Sequence, residues 1–242
     1  MRDTAQVPFE FFAPEAPSFG NFVVGDNAEA VSLLTALANE NATKGAGHNR
    51  HAAYVIWGGP SVGKSHLLTA LGCAAAASHR QVTKLCADAP FPDDPFIEAD
   101  VLCIDNADRL SPEQQGWLFT AFNHVAQLGG CTVATGRSAP SVWPMRDDIR
   151  TRMGSGLAVE ILPIPQDGLA QALSLYAASR GFSVSQEVLA YLLSHAQRDL
   201  TSLCQTLAGI DRMSLAQKRA VTIPLLRAYL TQSANTTAVC KP

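Results

Sequence analysis

The sequence predicts an α/β chain: a phosphate-loop domain with a parallel sheet flanked by helices, followed by a small all-helical domain. Three observations carry that prediction. The run Gly58, Gly59, Pro60, Ser61, Val62, Gly63, Lys64 and Ser65 fits the phosphate-cradling pattern G-x-x-x-x-G-K-[ST]. Short apolar runs alternate with helical patterns between residues 52 and 162, as expected of a parallel sheet covered on both faces. From Pro165 onward only helical patterns follow.

Each element has a local reason. Residues 1–18 are rich in Pro and Phe without periodicity and read as an extended arm. A helix follows, with Asp26 or Asn27 as its cap and Ala30, Val31, Leu33, Leu34, Leu37 and Ala38 on its apolar face. Residues 41–50 form a polar, Gly-containing loop. Residues 52–57 are a short buried strand, and residues 65–77 are the helix after the phosphate loop. Residues 81–87 are a strand and 90–95 a Pro-rich loop. Residues 100–105 are a continuous apolar run ending in an acid, the mark of a central parallel strand. Ser111 caps the next helix with Pro112 at its first position, and Gly129-Gly130 stop it. Strands are expected at 131–135 and 157–162, with a mixed-charge loop at 147–154 between them. Helices are then expected at 166–180, 185–197, 199–215 and 222–232. The domains are expected to be the arm at 1–18, the nucleotide-binding domain at 19–164, the helical domain at 165–233 and a flexible tail at 234–242.

Composition bounds the function. The chain has 242 residues, 47% hydrophobic and 16% charged, which is ordinary for a globular protein. Its net charge of −3 argues against a broad basic surface made for the DNA backbone. Cys73, Cys86, Cys103, Cys131, Cys204 and Cys240 form no C-x-x-C pair, so buried reduced thiols are expected rather than disulfides or zinc. The N-terminus lacks a secretory pattern and no apolar run reaches membrane-spanning length, so a cytoplasmic protein without membrane contact is expected.

The phosphate loop works because glycines let backbone N–H groups turn toward a phosphate while the following helix contributes its N-terminal donors. Lys64 supplies a charge for the β- and γ-phosphates and Ser65 a hydroxyl for Mg2+. Asp105, at the end of its strand, fits the Walker B acid that holds Mg2+. Asn106 follows it, and an amide positions water but is a very poor general base. The chain therefore reads as one that holds nucleotide and hydrolyses it weakly. Asp108 is expected to face solvent. Arg150 and Arg152 lie in the mixed-charge stretch, where surface ion pairs are the simplest reading by composition alone.

These motifs together resemble the DnaA family of AAA+ replication-initiator ATPases, and within it the truncated regulatory members. The matching residues are spread along the chain: Phe19-Gly-Asn-Phe-Val-Val-Gly-Asp-Asn27, Gly63-Lys64-Ser65-His66-Leu67-Leu68, Cys103-Ile-Asp-Asn106, Ile149-Arg150-Thr151-Arg152-Met153, Arg180-Gly181-Phe182, Gln197-Arg198-Asp199-Leu200 and Thr222-Ile223-Pro224. The resemblance implies an AAA+ domain followed by a helical lid, with the chain ending after the lid and so without the initiator's own DNA-binding domain. It implies ADP or ATP with Mg2+ as ligands, Thr135 as the sensor I residue, Arg198 as the sensor II residue, and Arg152 as an arginine finger acting in trans. Arg150 competes for that last role. Gln6, Val7, Phe9 and Phe11 resemble the short peptide with which such proteins bind the replicative sliding clamp. The implied partners are therefore the DnaA initiator and the clamp, with self-association into a homo-oligomer left open. The implied activity is stimulation of hydrolysis on the initiator, which restrains replication initiation. The alternatives are a self-assembling helicase-loader or motor ATPase, against which Asn106 weighs, and a small-molecule kinase, for which no acceptor site is evident.

Overall fold

The computed structural model describes residues 16–39, 52–196, 200–217 and 219–239, without the side chains of residues 166, 167, 201 and 232–239. Two compact units result, one spanning Ala16–Ile164 and the other beginning at Pro165.

The first unit is built on β1 (Ala53–Trp57), β2 (Val82–Cys86), β3 (Val101–Asp105), β4 (Cys131–Gly136) and β5 (Leu157–Glu160). They form one sheet in the order β2-β3-β4-β1-β5, every neighbouring pair parallel. Its two apolar layers follow from strand alternation, which sends successive side chains to opposite faces. Tyr54, Ile56, Val101, Cys103 and Val133 meet α1 (Ala28–Asn39) and α2 (Lys64–Ala77) through Leu34, Leu37, Leu67, Leu68 and Leu71. Val55, Leu102, Ile104 and Ala134 meet α3 (Pro112–Gln127) and α4 (Asp147–Gly154) through Leu118, Phe122, Val125, Ile149 and Met153. Because both faces are covered, β1 and β3 read as unbroken apolar runs. Most of these large side chains are fully excluded from solvent, each stabilising the fold by ~1.5–3 kcal/mol.

Local signals set the helix ends. Ser111 Oγ accepts from Gln114 N, and Gln114 Oε1 accepts from Ser111 N, a reciprocal capping box with Pro112 at the first helical position. Asn27, expected to cap α1, has another use: its Oδ1 accepts from Leu162 N at 2.8 Å and its Nδ2 donates to Leu162 O at 3.1 Å. This buried amide ties the start of α1 to the chain leaving β5.

Four expectations need correction. The stretch 147–154 is helical rather than a loop: Asp147 and Asp148 favour the helix N-terminus, and Ile149 and Met153, one turn apart, are both buried. β5 stops at Glu160, because Leu162 N turns to Asn27. Among the described cysteines, none of which is in a disulfide, only Cys103 and Cys131 are buried, and Cys73 is exposed on α2.

The fourth correction concerns the second unit, which holds α5 (Gln166–Ser179), α6 (Gln186–His195), α7 (Leu200–Gln217) and α8 (Ile223–Val239). Ser185 caps α6, its Oγ accepting from Val188 N at 3.4 Å. Leu173, Leu189, Leu192, Leu203, Leu207, Ile210 and Leu226 form the core of this unit. α8 runs on to Val239, so residues 234–239 are helix rather than a frayed tail; no Gly or Pro interrupts the chain between Ser233 and Val239.

Candidate functional site

The carboxyl ends of β1, β3 and β4 converge on one edge of the sheet, the place where open parallel sheets bind ligands. From β1 the chain enters the phosphate loop, and two glycines have steric reasons to be there. Gly58 has φ 154° and a Cβ there would lie 2.4 Å from Ile161 O. Gly63 has φ 97° and a Cβ there would lie 2.7 Å from the Phe22 ring. Ser61 also takes a left-handed conformation, with φ 58°. Gly58 N donates to Gly136 O at 3.3 Å, so the loop is sewn to the end of β4. Phe22 is buried over Gly63 and lies 5.7 Å from the His66 ring, while His66 Nε2 is 2.9 Å from Ser18 O. The segment leading into α1 is thereby anchored over the start of α2.

Lys64 is 8% exposed, and its Nζ donates to Gly58 O at 2.9 Å and Gly59 O at 2.6 Å. Burial pushes its ammonium below the ordinary lysine value; the carboxylates of Asp108 and then Asp105 pull it back up, and Arg137 pushes it down. A desolvated cation held by loop carbonyls, with one donor remaining, is suited to an anionic ligand.

Asp105 Oδ1 accepts from Ser65 Oγ at 3.0 Å and from Thr135 Oγ1 at 2.6 Å. Thr135 Oγ1 also accepts from Asn106 N at 2.8 Å. Thr135 is fully buried, so its hydroxyl orients the Asp105 carboxylate. The Ser65 hydroxyl and Asp105 carboxylate are hard oxygen donors one hydrogen bond apart, which fits Mg2+, an ion that keeps waters and substrate phosphates beside few protein ligands. Among the described residues no group of three or more His, Cys, Asp or Glu is placed to hold a metal by itself.

Asp108 corrects the sequence reading in part. Asn106 takes φ 57°, and the 3-10 turn Ala107–Arg109 folds the chain back. Asp108 Oδ2 accepts from Arg137 N at 3.0 Å, and its Oδ1 is buried without a hydrogen-bond partner among the described residues. One oxygen of this half-buried carboxylate is therefore turned inward, while the other is held at the surface at the end of β4. Asn106 points its amide the other way, Nδ2 lying 4.0 Å from Cys86 Sγ on β2. Sequence reasoning also passed over Phe22 and Arg137. The conjunction of a left-handed Asn with a turn after an apolar strand was the signal available for Asp108.

The two candidate finger arginines differ in surroundings. Arg150 is ion-paired to Asp147 and donates to Met145 O at 3.3 Å. The Arg152 guanidinium lies 4.8 Å above the Phe119 ring and 5.7 Å from the Phe122 ring, both on α3, and makes no carboxylate pair among the described residues. Arg146 shares the Phe119 ring at 5.5 Å but is paired to Asp148 at 2.7 Å. Arg198 and the stretch Gln6–Phe11 lie outside the described residues. No described helix is long and apolar enough to cross a membrane.

Comparison with known proteins agrees with this architecture. Residues 166–230 match the family model described as Hda, lid domain. The fold is similar to domain III of the replication initiation protein DnaA from Thermotoga maritima, with TM-score 0.77 and 19% identity over 91% of this chain and 98% of that one. It is similar to AMPPCP-bound DnaA from Aquifex aeolicus, with TM-score 0.66 and 20% identity over 83% of this chain and 66% of that one. A variant of RuvB from Thermotoga maritima matches with TM-score 0.65 and 12% identity over 89% of this chain and 71% of that one. At these identities the structural likeness establishes the fold, and the match over residues 166–230 ties the helical unit to the Hda lid domain.

Proposed function

We propose that the chain is a DnaA-related AAA+ protein with an Hda-type lid and a negative regulator of replication initiation, stimulating ATP hydrolysis on the DnaA initiator through an arginine finger supplied in trans. In this reading it holds ADP or ATP with Mg2+ in its own phosphate loop and docks on the DNA-loaded sliding clamp through Gln6, Val7, Phe9 and Phe11. Gly58–Ser65 wrap the phosphates, Lys64 pairs with them, and Ser65 with Asp105 holds the cation. Asn106 and Thr135 keep the Asp105 side of the site in register, and the sensor II role falls to Arg198. That a DnaA is found with AMPPCP supports an adenine nucleotide here.

The observation that carries the proposal is the Hda lid match over residues 166–230. The surroundings of Arg152 favour it over Arg150 as the finger. A guanidinium resting on aromatic faces keeps its charge and its planar donors available for a partner's γ-phosphate, whereas Arg150 is already neutralised by Asp147. A finger in comparable systems accelerates hydrolysis by about 10³–10⁵. Arg152→Ala is expected to abolish stimulation of the initiator while ADP and clamp binding, followed by fluorescence titration and pull-down, stay unchanged. Full stimulation by that variant, with loss in Arg150→Ala, would move the role to Arg150.

A further inference from the structure

We propose that the outer face of α3, together with the connection from β2 to β3, docks a basic amphipathic helix of a protein partner. The inference rests neither on the role given to Arg152 nor on the phosphate loop. A parallel crossover is usually helical, but residues 87–100 join β2 to β3 without a helix, and Pro90, Pro92 and Pro95 account for that. The connection is laid along α3 and fixed at both ends. Gln114 Nε2 donates to Ala87 O at 3.1 Å and to Ala89 O at 3.0 Å. At the other end Gly130 lets Ala99 O approach, where a Cβ would lie only 2.6 Å from that oxygen.

Aromatic pairs cross from the connection to the helix. Phe91 meets Trp117 edge-on at 5.1 Å, and Phe96 meets His124 edge-on at 5.4 Å. Trp117, His124 and Leu128 share one face of α3, because positions seven and eleven apart nearly coincide around a helix. At 1.5 Å per residue the stripe is roughly 16 Å long, about three turns. At its start a groove of about 480 Å3 is lined by Phe91, Pro92 and Trp117. At its far end Phe96 is 61% exposed and Leu128 47% exposed. Apolar side chains left exposed along one helix face mark an interaction surface.

Charge selects the occupant. Between Lys84 and Arg109 the sequence has no Lys, Arg or His. Asp93, Asp94 and Glu98 are exposed on the connection and Glu113 on α3, and none of them makes an ion pair among the described residues. Such a surface repels phosphate backbones and anionic headgroups. It attracts Lys and Arg that flank apolar anchors, and a helix with anchors at i, i+4 and i+7 matches an apolar stripe of this length.

The test is fluorescence anisotropy of a labelled synthetic peptide of about 15 residues, long enough to form a helix. It is built of Lys with Leu at i, i+3, i+4 and i+7 spacing, and is titrated with the full chain, with nucleotide, initiator and clamp omitted. The same peptide with Glu in place of Lys is the charge control. The Leu/Lys peptide is expected to bind and the Leu/Glu peptide not to. Phe96→Ser and Leu128→Ser should each weaken binding about tenfold by removing an apolar anchor. Both positions are exposed, so the melting temperature of these variants should be retained. Glu98→Lys should weaken binding severalfold. Glu160→Lys, on β5 at the opposite edge of the sheet, changes net charge equally and should leave the affinity unaltered. The proposal is overturned if the Leu/Lys peptide does not bind, if the Leu/Glu peptide binds as well, if Glu160→Lys costs as much as Glu98→Lys, or if Phe96→Ser has no effect. Self-association of the chain that is lost in Phe96→Ser would give the face to a second copy and overturn it too.

Discussion

Single side chains carry the chemistry proposed for this molecule, and their surroundings make them testable one at a time. Lys64 is desolvated and held by two loop carbonyls, so its charge-assisted contacts to a phosphate form in a low-dielectric setting. Lys64→Ala should weaken nucleotide binding by about 10- to 100-fold, the equivalent of one hydrogen bond to a charged group at 1.5–3 kcal/mol, as read by calorimetric titration. Cys103 offers a second check. Burial, with the neighbouring Cys131, pushes its thiol up from 9.0 to about 12. Above pH 9 the unfolded chain gives up this proton while the folded chain keeps it, so the contribution of Cys103 to stability falls as pH rises toward 12. Urea midpoints should decline less steeply over that interval in Cys103→Val than in wild type. Iodoacetamide should label exposed Cys73 in the native protein and leave Cys103 and Cys131 unmodified until denaturant is added, by mass spectrometry.

At the level of elements, α3 links stability to the proposed finger. Its capping box satisfies donors at its first turn, and Ser111→Ala should cost about 1 kcal/mol in urea unfolding. The same helix presents Phe119 beneath Arg152. Phe119→Leu keeps the apolar bulk but removes the π face, and stimulation of the initiator should fall about two- to fivefold, as expected from a cation–π contact of 0.5–1 kcal/mol. Much of this level was legible in the sequence. Ser111-Pro112 and Gly129-Gly130 bracket α3, and the apolar runs of β1 and β3 announce a sheet buried on both faces. What stayed hidden depends on tertiary context. α4 is short and half charged, and its helicity rests on Ile149 and Met153 finding the layer beneath α3. Asn27 looks like a cap, but only the folded chain brings Leu162 to its amide. Asp108 looks solvent-facing because a turn initiated by a left-handed asparagine re-aims it, and no periodicity reports such a turn.

For the whole molecule, a candidate nucleotide site at one end of a parallel sheet and an arginine on α4 belong to one unit, and the helical unit matches the Hda lid domain. The candidate nucleotide site is readable from Gly58–Ser65 and Asp105, since those residues are placed by local backbone geometry and strand order. The proposed direction of action, on a partner's ATP, rests on Arg152 and the Hda lid match. The most direct measurement is ATP hydrolysis by purified DnaA initiator with DNA-loaded clamp, with and without this protein, beside this protein alone. The account predicts turnover in the complete mixture well above the sum of its parts, and loss of that excess in Arg152→Ala. Turnover by this protein alone that equals the complete mixture, indifferent to initiator and clamp, would contradict it.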